Sequence, residues 1–400
     1  MTRVLSMKSF FKKLPVFIFL CVQASIAYSD SIDVLLCAYD MGDTVPLKSV
    51  IKQFDQQNIS YRIVAIGKAS EEFKDHSNRV RLDNLSEDEL KTWPRPQPFN
   101  EENLTQLQKE YQPKLVMVGM ASAAQAQLAN AFKSKGSCAI AFYDNFDPIT
   151  SKEYVQPFLE NVEKIDAYLI PAQATLESFQ QHPKTKASKL EVVGQPVLES
   201  WDDIFAKTDR AALRQTLEVS EKDKVVLFVG GYDDTYCEHF THFVDGAKNF
   251  LGRTDIKFFV TYHPKTEGEL EKNIIQEKGV NNIKVIEKTG APSTTEIATL
   301  ANVIVCHKSS VGMQALYKGI PVIYLVKKGD YTNFALDQGL AQQAESAQQF
   351  CGVLDQLLST ANQNRADVTK LGIPEKATQT IVNLVKAYLQ QPVESLKKQA

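Results

Sequence analysis

Five turns in this chain carry residue types that could bind or react. Asp40 and Asp43 lie in DMGDT (40–44), and Asp144 in YDNFD (143–147). Gly230 and Gly231 open GGYDD (230–234), His263 and Lys265 belong to YHPK (262–265), and Ser309, Ser310 and Gly312 to HKSSVG (307–312). A carboxylate held in a cleft can take a proton from an attacking hydroxyl, which makes Asp40, Asp43 and Asp144 the candidates for a general base. The other three turns suit an anion. Glycines expose backbone N–H groups, His and Lys donate, and serines at a helix start add hydroxyls where the helix dipole is positive. Each has a plain explanation by itself: glycine serves tight turns, Ser and Asp cap helices, and His-Pro marks a turn. Asp43, just ahead of Pro46, is the most natural cap. What carries the anion reading is that all three turns follow strands of the same half of the chain.

Those strands are short apolar runs alternating with helical patterns, the mark of parallel α/β architecture. The spacing predicts strands at 32–38, 61–66, 115–119, 138–143, 167–171 and 190–193, and a second set at 224–230, 256–262, 283–286, 303–306 and 321–326. The pattern pauses at Gly194-Gln195-Pro196 and a polar helical connector follows. The reading is two Rossmann-like parallel-sheet domains, 28–200 and 201–373, facing each other across a cleft. A helix in 374–400 is expected to pack back towards the first. Ligands of such sheets sit outside the carboxyl ends of the strands, where the five turns fall. Residues 68–99, polar and ending in TWPRPQPF, read as an irregular or lid-like excursion, with Trp93 available to stack on a sugar.

The chain has 400 residues and a formal net charge of −3, with no basic stripe, so nucleic acid is not an expected partner. Arg3, Lys8, Lys12 and Lys13 precede the apolar run LPVFIFLCVQASIA, which ends in a small-x-small pattern; residues 1–27 are expected to be a signal peptide. Its removal leaves a net charge of −7 and no stable membrane span, with the product periplasmic or secreted. An uncleaved N-terminal anchor is the alternative. The remaining cysteines, Cys37, Cys138, Cys237, Cys306 and Cys351, are odd in number and lack a CxxC, so no disulfide framework is expected. Cys237, His239 and His242 invite a metal reading, but Phe240, Phe243 and Val244 form the apolar face and the histidines read as a solvated one. No metal and no cofactor is expected.

The run from Thr289 to Ile323, ending in TLANVIVCHKSSVGMQALYKGIPVI (299–323), resembles the carboxyl-terminal domain of GT-B glycosyltransferases. There, the helix start and the following Gly-x-Pro-Val hold a nucleotide diphosphate. LEVVGQP (190–196) and residues 114–143 resemble parts of the first domain of that family. His263-Pro264 with Ser309-Ser310 is similar to the His-Pro and serine motifs of bacterial sialyl-, capsule- and glycerophosphate-transferring members, whose histidine and serines contact donor phosphate. The resemblance implies a metal-independent transfer of a sugar or sugar-like group from a nucleotide-activated donor to a glycan or lipid-linked acceptor. Gly230, Gly231, His263, Lys265, Thr289, Ser309, Ser310, Gly312 and Gln314 would hold the donor. Two departures stand out: Gln314 replaces a Glu that many members use on the donor, and the Gly-Thr-Arg-Pro-Glu start of the hydrolysing epimerases is absent. Export and the neutral Gln314 leave a second reading open, a non-catalytic exported binding protein or inactive relative that holds an anionic or phosphorylated sugar.

Overall fold

The computed structural model describes residues 30–263, 266–331, 333–359 and 368–391; the expected signal peptide and Lys265 lie outside them. One parallel sheet contains β1 (Asp30–Ala38), β2 (Tyr61–Ala65), β3 (Tyr111–Gly119), β4 (Cys138–Phe142), β5 (Ala167–Ile170) and β6 (Lys189–Val192), in the order β2-β1-β3-β4-β5-β6. The other contains β7 (Lys224–Val229), β8 (Ile256–Thr261), β9 (Ile283–Val285), β10 (Ala301–Cys306), β11 (Val322–Leu325) and β12 (Gln342–Ala344), in the order β12-β11-β10-β7-β8-β9. The central strands are covered by helices on both faces, so stretches such as Val34–Ala38 and Leu115–Val118 are buried throughout. That is why they appear in the sequence as unbroken apolar runs instead of alternating ones.

The two sheets are wound alike. Beyond β2, Ile63 bridges Arg79, with Ile63 N–H donating to Asn78 O at 2.9 Å and Val80 N–H to Ile63 O at 2.8 Å. This rung stands where β9 stands beside β8. Each sheet therefore reverses direction once, between β1 and β3 and between β7 and β10. At such a reversal the loops diverge to opposite faces and open a crevice.

Residues 68–99 are not a lid. They form the short helices Lys68–Glu72 and Glu87–Lys91 and bury Val80, Leu82, Leu90, Trp93 and Phe99 in the first domain's core. Trp93 is turned inward, its Nε1–H donating to Gln97 O at 2.8 Å and its ring 5.2 Å from Phe99, so it offers no face to a sugar. The polar residues between these anchors hid the packing.

The chain crosses between the lobes twice. Gly194 has φ +85°, and a Cβ there would lie 2.5 Å from Pro374 O, so only glycine lets the two crossings pass so closely. After the second crossing the helix Ala377–Leu389 lies against the helices Met41–Gln56 and Pro196–Lys207. Ile381, Val382 and Val385 are buried there among residues of β1, β2 and β3.

Candidate functional site

The first wall of the site begins at the end of β1. The helix Met41–Gln56 starts five residues ahead of Pro46, because Asp40 rather than Asp43 is its N-cap. Asp40 accepts from Met41 N–H at 2.7 Å, and Asp43, three residues on, reaches back to Asp40 N–H at 3.0 Å, closing a capping box. The Asp43 carboxylate also accepts from Tyr39 N–H at 3.1 Å and Gln125 Nε2 at 2.6 Å. It fits only because β3 ends in Gly119, where a Cβ would stand 2.0 Å from Asp43 Oδ2.

Asp144 follows β4 and sits beside the same helix start; a Cβ on Gly42 would lie 1.8 Å from its Oδ2. Its other oxygen accepts from the Tyr154 hydroxyl at 2.8 Å. Burial, and next the negative charge of Asp144, push the Asp43 carboxyl up to about 7 against the pull of its Gln125 and Tyr39 donors. Burial likewise raises Asp144, with Tyr154 opposing. Asp40 is paired with Arg95 from the TWPRPQPF segment. Arg95 donates through Nη1 to Ala121 O at 3.1 Å, and its guanidinium lies 5.1 Å from the Tyr39 ring and 5.5 Å from that of Tyr154. Arg95, Gln125 and Tyr154 were not singled out from the sequence, since none sits at a strand end.

The second wall is built at the ends of β7 and β10. Gly230 and Gly231 let the chain pass between Tyr262 and Tyr236; a Cβ on Gly231 would meet the Tyr236 ring at 2.9 Å and His307 Cδ2 at 3.0 Å. His307 is buried, with Nε2 2.9 Å from Asp233 Oδ1 and Nδ1 3.4 Å from Leu325 O. Lys308 Nζ lies 3.2 Å from Asp233 Oδ2, and Thr235 Oγ1 donates to Asp233 Oδ1 at 2.8 Å. Burial would raise the Asp233 carboxyl, but the hydrogen bonds from His307 and Thr235, the charge on His307 and the bond from Lys308 outweigh it and hold it well below the usual carboxylate range.

The helix after β10, Val311–Tyr317, is two turns long. Ser309 Oγ already accepts from Val311 N–H at 3.2 Å, while Ser310 faces the cavity. Gly312 is required by Tyr324, whose hydroxyl would stand 2.2 Å from a Cβ there. Gln314 is half-buried one turn on, and Thr289 is exposed in the loop after β9.

Both walls open onto one cavity of about 400 Å³. Asp40, Asp43, Asp144, Arg95 and Tyr154 line it from the first domain, and Tyr232, His263 and Ser310 from the second. Tyr232 is 55% exposed, the largest value among the big apolar side chains described, with its ring 4.3 Å from His263. Gly230, Gly231, Ser309 and Gly312 stand behind this surface, and Thr289 and Gln314 do not line it.

Elsewhere the histidine pair corrects the sequence reading. His239 is fully buried, 4.9 Å ring to ring from His307 just beyond β10; only His242 is partly exposed. Among the described residues no cluster of three His, Cys, Asp or Glu stands ready for a metal ion, and no helix is long and apolar enough to cross a membrane.

Two Rossmann-like sheets, wound alike and facing one cavity through their reversal points, define the GT-B fold. No protein-family model and no curated protein sequence matches the chain. Among solved structures it is similar to the UDP-GlcNAc 2-epimerase of Neisseria meningitidis bound to UDP-GlcNAc, at 14% identity and a TM-score of 0.65 over 89% of this chain and all of the other. It is similar to S. aureus MnaA with UDP, at 14% identity and 0.66 over 90% and 97% of the two chains. Acinetobacter baumannii MurG follows at 14% and 0.56 over 90% and 100%. At such identities the likeness is one of fold.

Proposed function

We propose that this chain takes a nucleotide-activated sugar into the cleft and transfers the sugar, or a sugar-like group, to an acceptor hydroxyl. The observation that carries this reading is the division of labour across one cavity, with the carboxylates Asp40, Asp43 and Asp144 on one wall and His263, Ser310 and Tyr232 on the other. The neighbours with UDP or UDP-GlcNAc bound support a nucleotide-sugar ligand. Asp144 is the general base. Asp40 is engaged by Arg95, and Asp43 is enclosed by Tyr39, Asp40 and Gln125, whereas Asp144 is half-buried at the cavity with a single side-chain donor, Tyr154. A carboxyl raised by burial is a stronger base once ionised, which suits proton abstraction near neutral pH. His263, Lys265 and Ser310 hold the donor phosphates, in keeping with the motif resemblance to sialyl-, capsule- and glycerophosphate-transferring enzymes. The face of Tyr232 packs against the pyranose ring. Export of the mature chain belongs to the same proposal and implies a donor or acceptor outside the cytoplasm.

The test is a panel of UDP-, CMP- and GDP-sugars, read first by calorimetry and then by release of free nucleotide, with and without a chelator. Asp144→Asn is expected to keep nucleotide affinity and lower turnover by about 100-fold or more, the usual worth of a positioned base. The second reading, an exported binding protein for an anionic sugar, is favoured by the full engagement of Asp40 and Asp43. It gains if a sugar phosphate binds and neither wild type nor variant releases nucleotide.

A further inference from the structure

Asp147 lies three residues beyond Asp144, away from the cavity and buried between the lobes. Its Oδ1 accepts from the amide N–H of Phe334, at 3.1 Å, the first residue of the short helix Phe334–Asp337 beyond β11. Its Oδ2 is 2.6 Å from Lys152 Nζ, and that ammonium stands 4.9 Å from the ring of Tyr331. One side chain and its partner thus grip Tyr331 and Phe334 of the other lobe.

The contacts continue in both directions. Tyr331 packs 5.6 Å from Tyr324, whose ring covers Gly312 and whose hydroxyl donates to Ser309 O at 3.3 Å. On the other side, Asp147 N–H donates to Asn145 Oδ1 at 3.0 Å, and the Tyr143 hydroxyl donates to Asp147 O at 2.9 Å. Gln195, at the first crossing, donates through Nε2 to Asp144 O at 2.6 Å. The turn that presents Asp144 is therefore fastened to the crossing at one end and to the second lobe at the other. The serine turn hangs from the same seam.

We propose that Asp147, with Lys152, is a positioning residue that couples the placement of Asp144 to the placement of the Ser309–Gly312 turn. A change in lobe spacing reaches both halves of the site through this buried seam and not through the cavity. A buried ion pair gives the link its stiffness, since separating the charges leaves each desolvated and uncompensated. The inference needs no assumption about which nucleotide or sugar binds, so it stands or falls separately from the function proposed above.

Amide hydrogen exchange of the full chain without ligand tests it, using Asp147→Ala, Lys152→Met and Lys152→Arg, with the helix Glu269–Glu277 as internal reference. Expected is a joint rise of about tenfold or more in exchange across 142–155 and across 307–317 for Asp147→Ala and Lys152→Met, the reference helix being unchanged. Lys152→Arg, which keeps the charge, should stay close to wild type. Should Asp147→Ala not fold, Lys152→Met carries the same expectation. Faster exchange confined to 142–155 would overturn the coupling and leave only local support. An Lys152→Arg chain as disturbed as Lys152→Met would overturn the role given to the ion pair.

Discussion

The ends of β1 and β3 and the ends of β7 and β10 occupy equivalent places in two sheets of the same winding, yet the acids beside them are held in opposite ways. On the first wall, burial and mutual repulsion raise carboxyls, Asp43 to about 7 and Asp144 in the same direction. On the second, His307, Thr235 and Lys308 overcome burial and hold Asp233 firmly ionised. One architecture thus supplies a crevice twice, but Asp43 stands among other carboxylates whereas Asp233 is met by His307 and Lys308. The backbone decides where a site can be; a handful of neighbouring charges decides whether it moves protons or anchors a ligand.

The sharpest way to break this contrast is through the glycines at the strand ends. Gly119→Ala would drive a Cβ to 2.0 Å from Asp43 Oδ2 and 2.6 Å from Gln125 Nε2, both buried. The expected loss is at the top of the overpacking range, about 3 kcal/mol, in denaturant unfolding. Gly231→Ala meets the Tyr236 ring at 2.9 Å and the edge of His307 at 3.0 Å, and should cost about 1–2 kcal/mol. Equal losses from the two would count against the tighter construction of the first wall.

The pH dependence of stability follows the same division. Asp43 has its folded-state pKa raised to about 7 from 3.8, so between those values the folded chain holds the proton more tightly than the unfolded one. Stability from this group is therefore present below about pH 4 and is lost as pH rises towards 7, by an upper bound of roughly 4 kcal/mol. Asp43→Asn should flatten that fall, read as a smaller difference in Tm between pH 5 and pH 8. Asp233, being lowered, acts the other way: its contribution is present above pH 4 and is lost as acid protonates it. A wild type whose Tm rises steadily from pH 5 to pH 8 would contradict the account of the first wall.

His307→Ala removes the partner of both Asp233 and Leu325 O and should cost about 1–3 kcal/mol. It should also shift acid unfolding to higher pH. The smallest stability effect is expected of Tyr232→Ala, within about 0.5 kcal/mol, because its ring is more than half exposed. The same change should weaken sugar-nucleotide binding by up to about tenfold if the ring is a stacking face. A Tyr232→Ala chain that binds normally would remove that residue from the site.

The sheets were legible because doubly covered parallel strands carry unbroken apolar runs, as in Val34–Ala38 of β1 and Leu115–Val118 of β3. Two outer elements were not: β12 is Gln-Gln-Ala, and the rung at Arg79 is a single bridge in a polar stretch. The strand-end carboxylates could be found by position, but Arg95 and Gln125 could not, since Arg95 comes from the 68–99 segment and Gln125 from the first turn of the helix Ala123–Lys133. Pro46 misled the helix start because a proline often marks N1, while here the capping box of Asp40 and Asp43 sets the first turn earlier. His239 was misplaced although it stands three residues after Tyr236 and four before Phe243, on the buried stripe of its helix.

The helix Ala377–Leu389 gives the chain an order of assembly. Ile381, Val382 and Val385 close a face of the sheet that holds β1, although they are made after every strand of the second lobe. The lobe that leaves the ribosome first is thus the last to be sealed. Until that helix is made, the apolar face stays open to whatever chaperone or carrier is nearby.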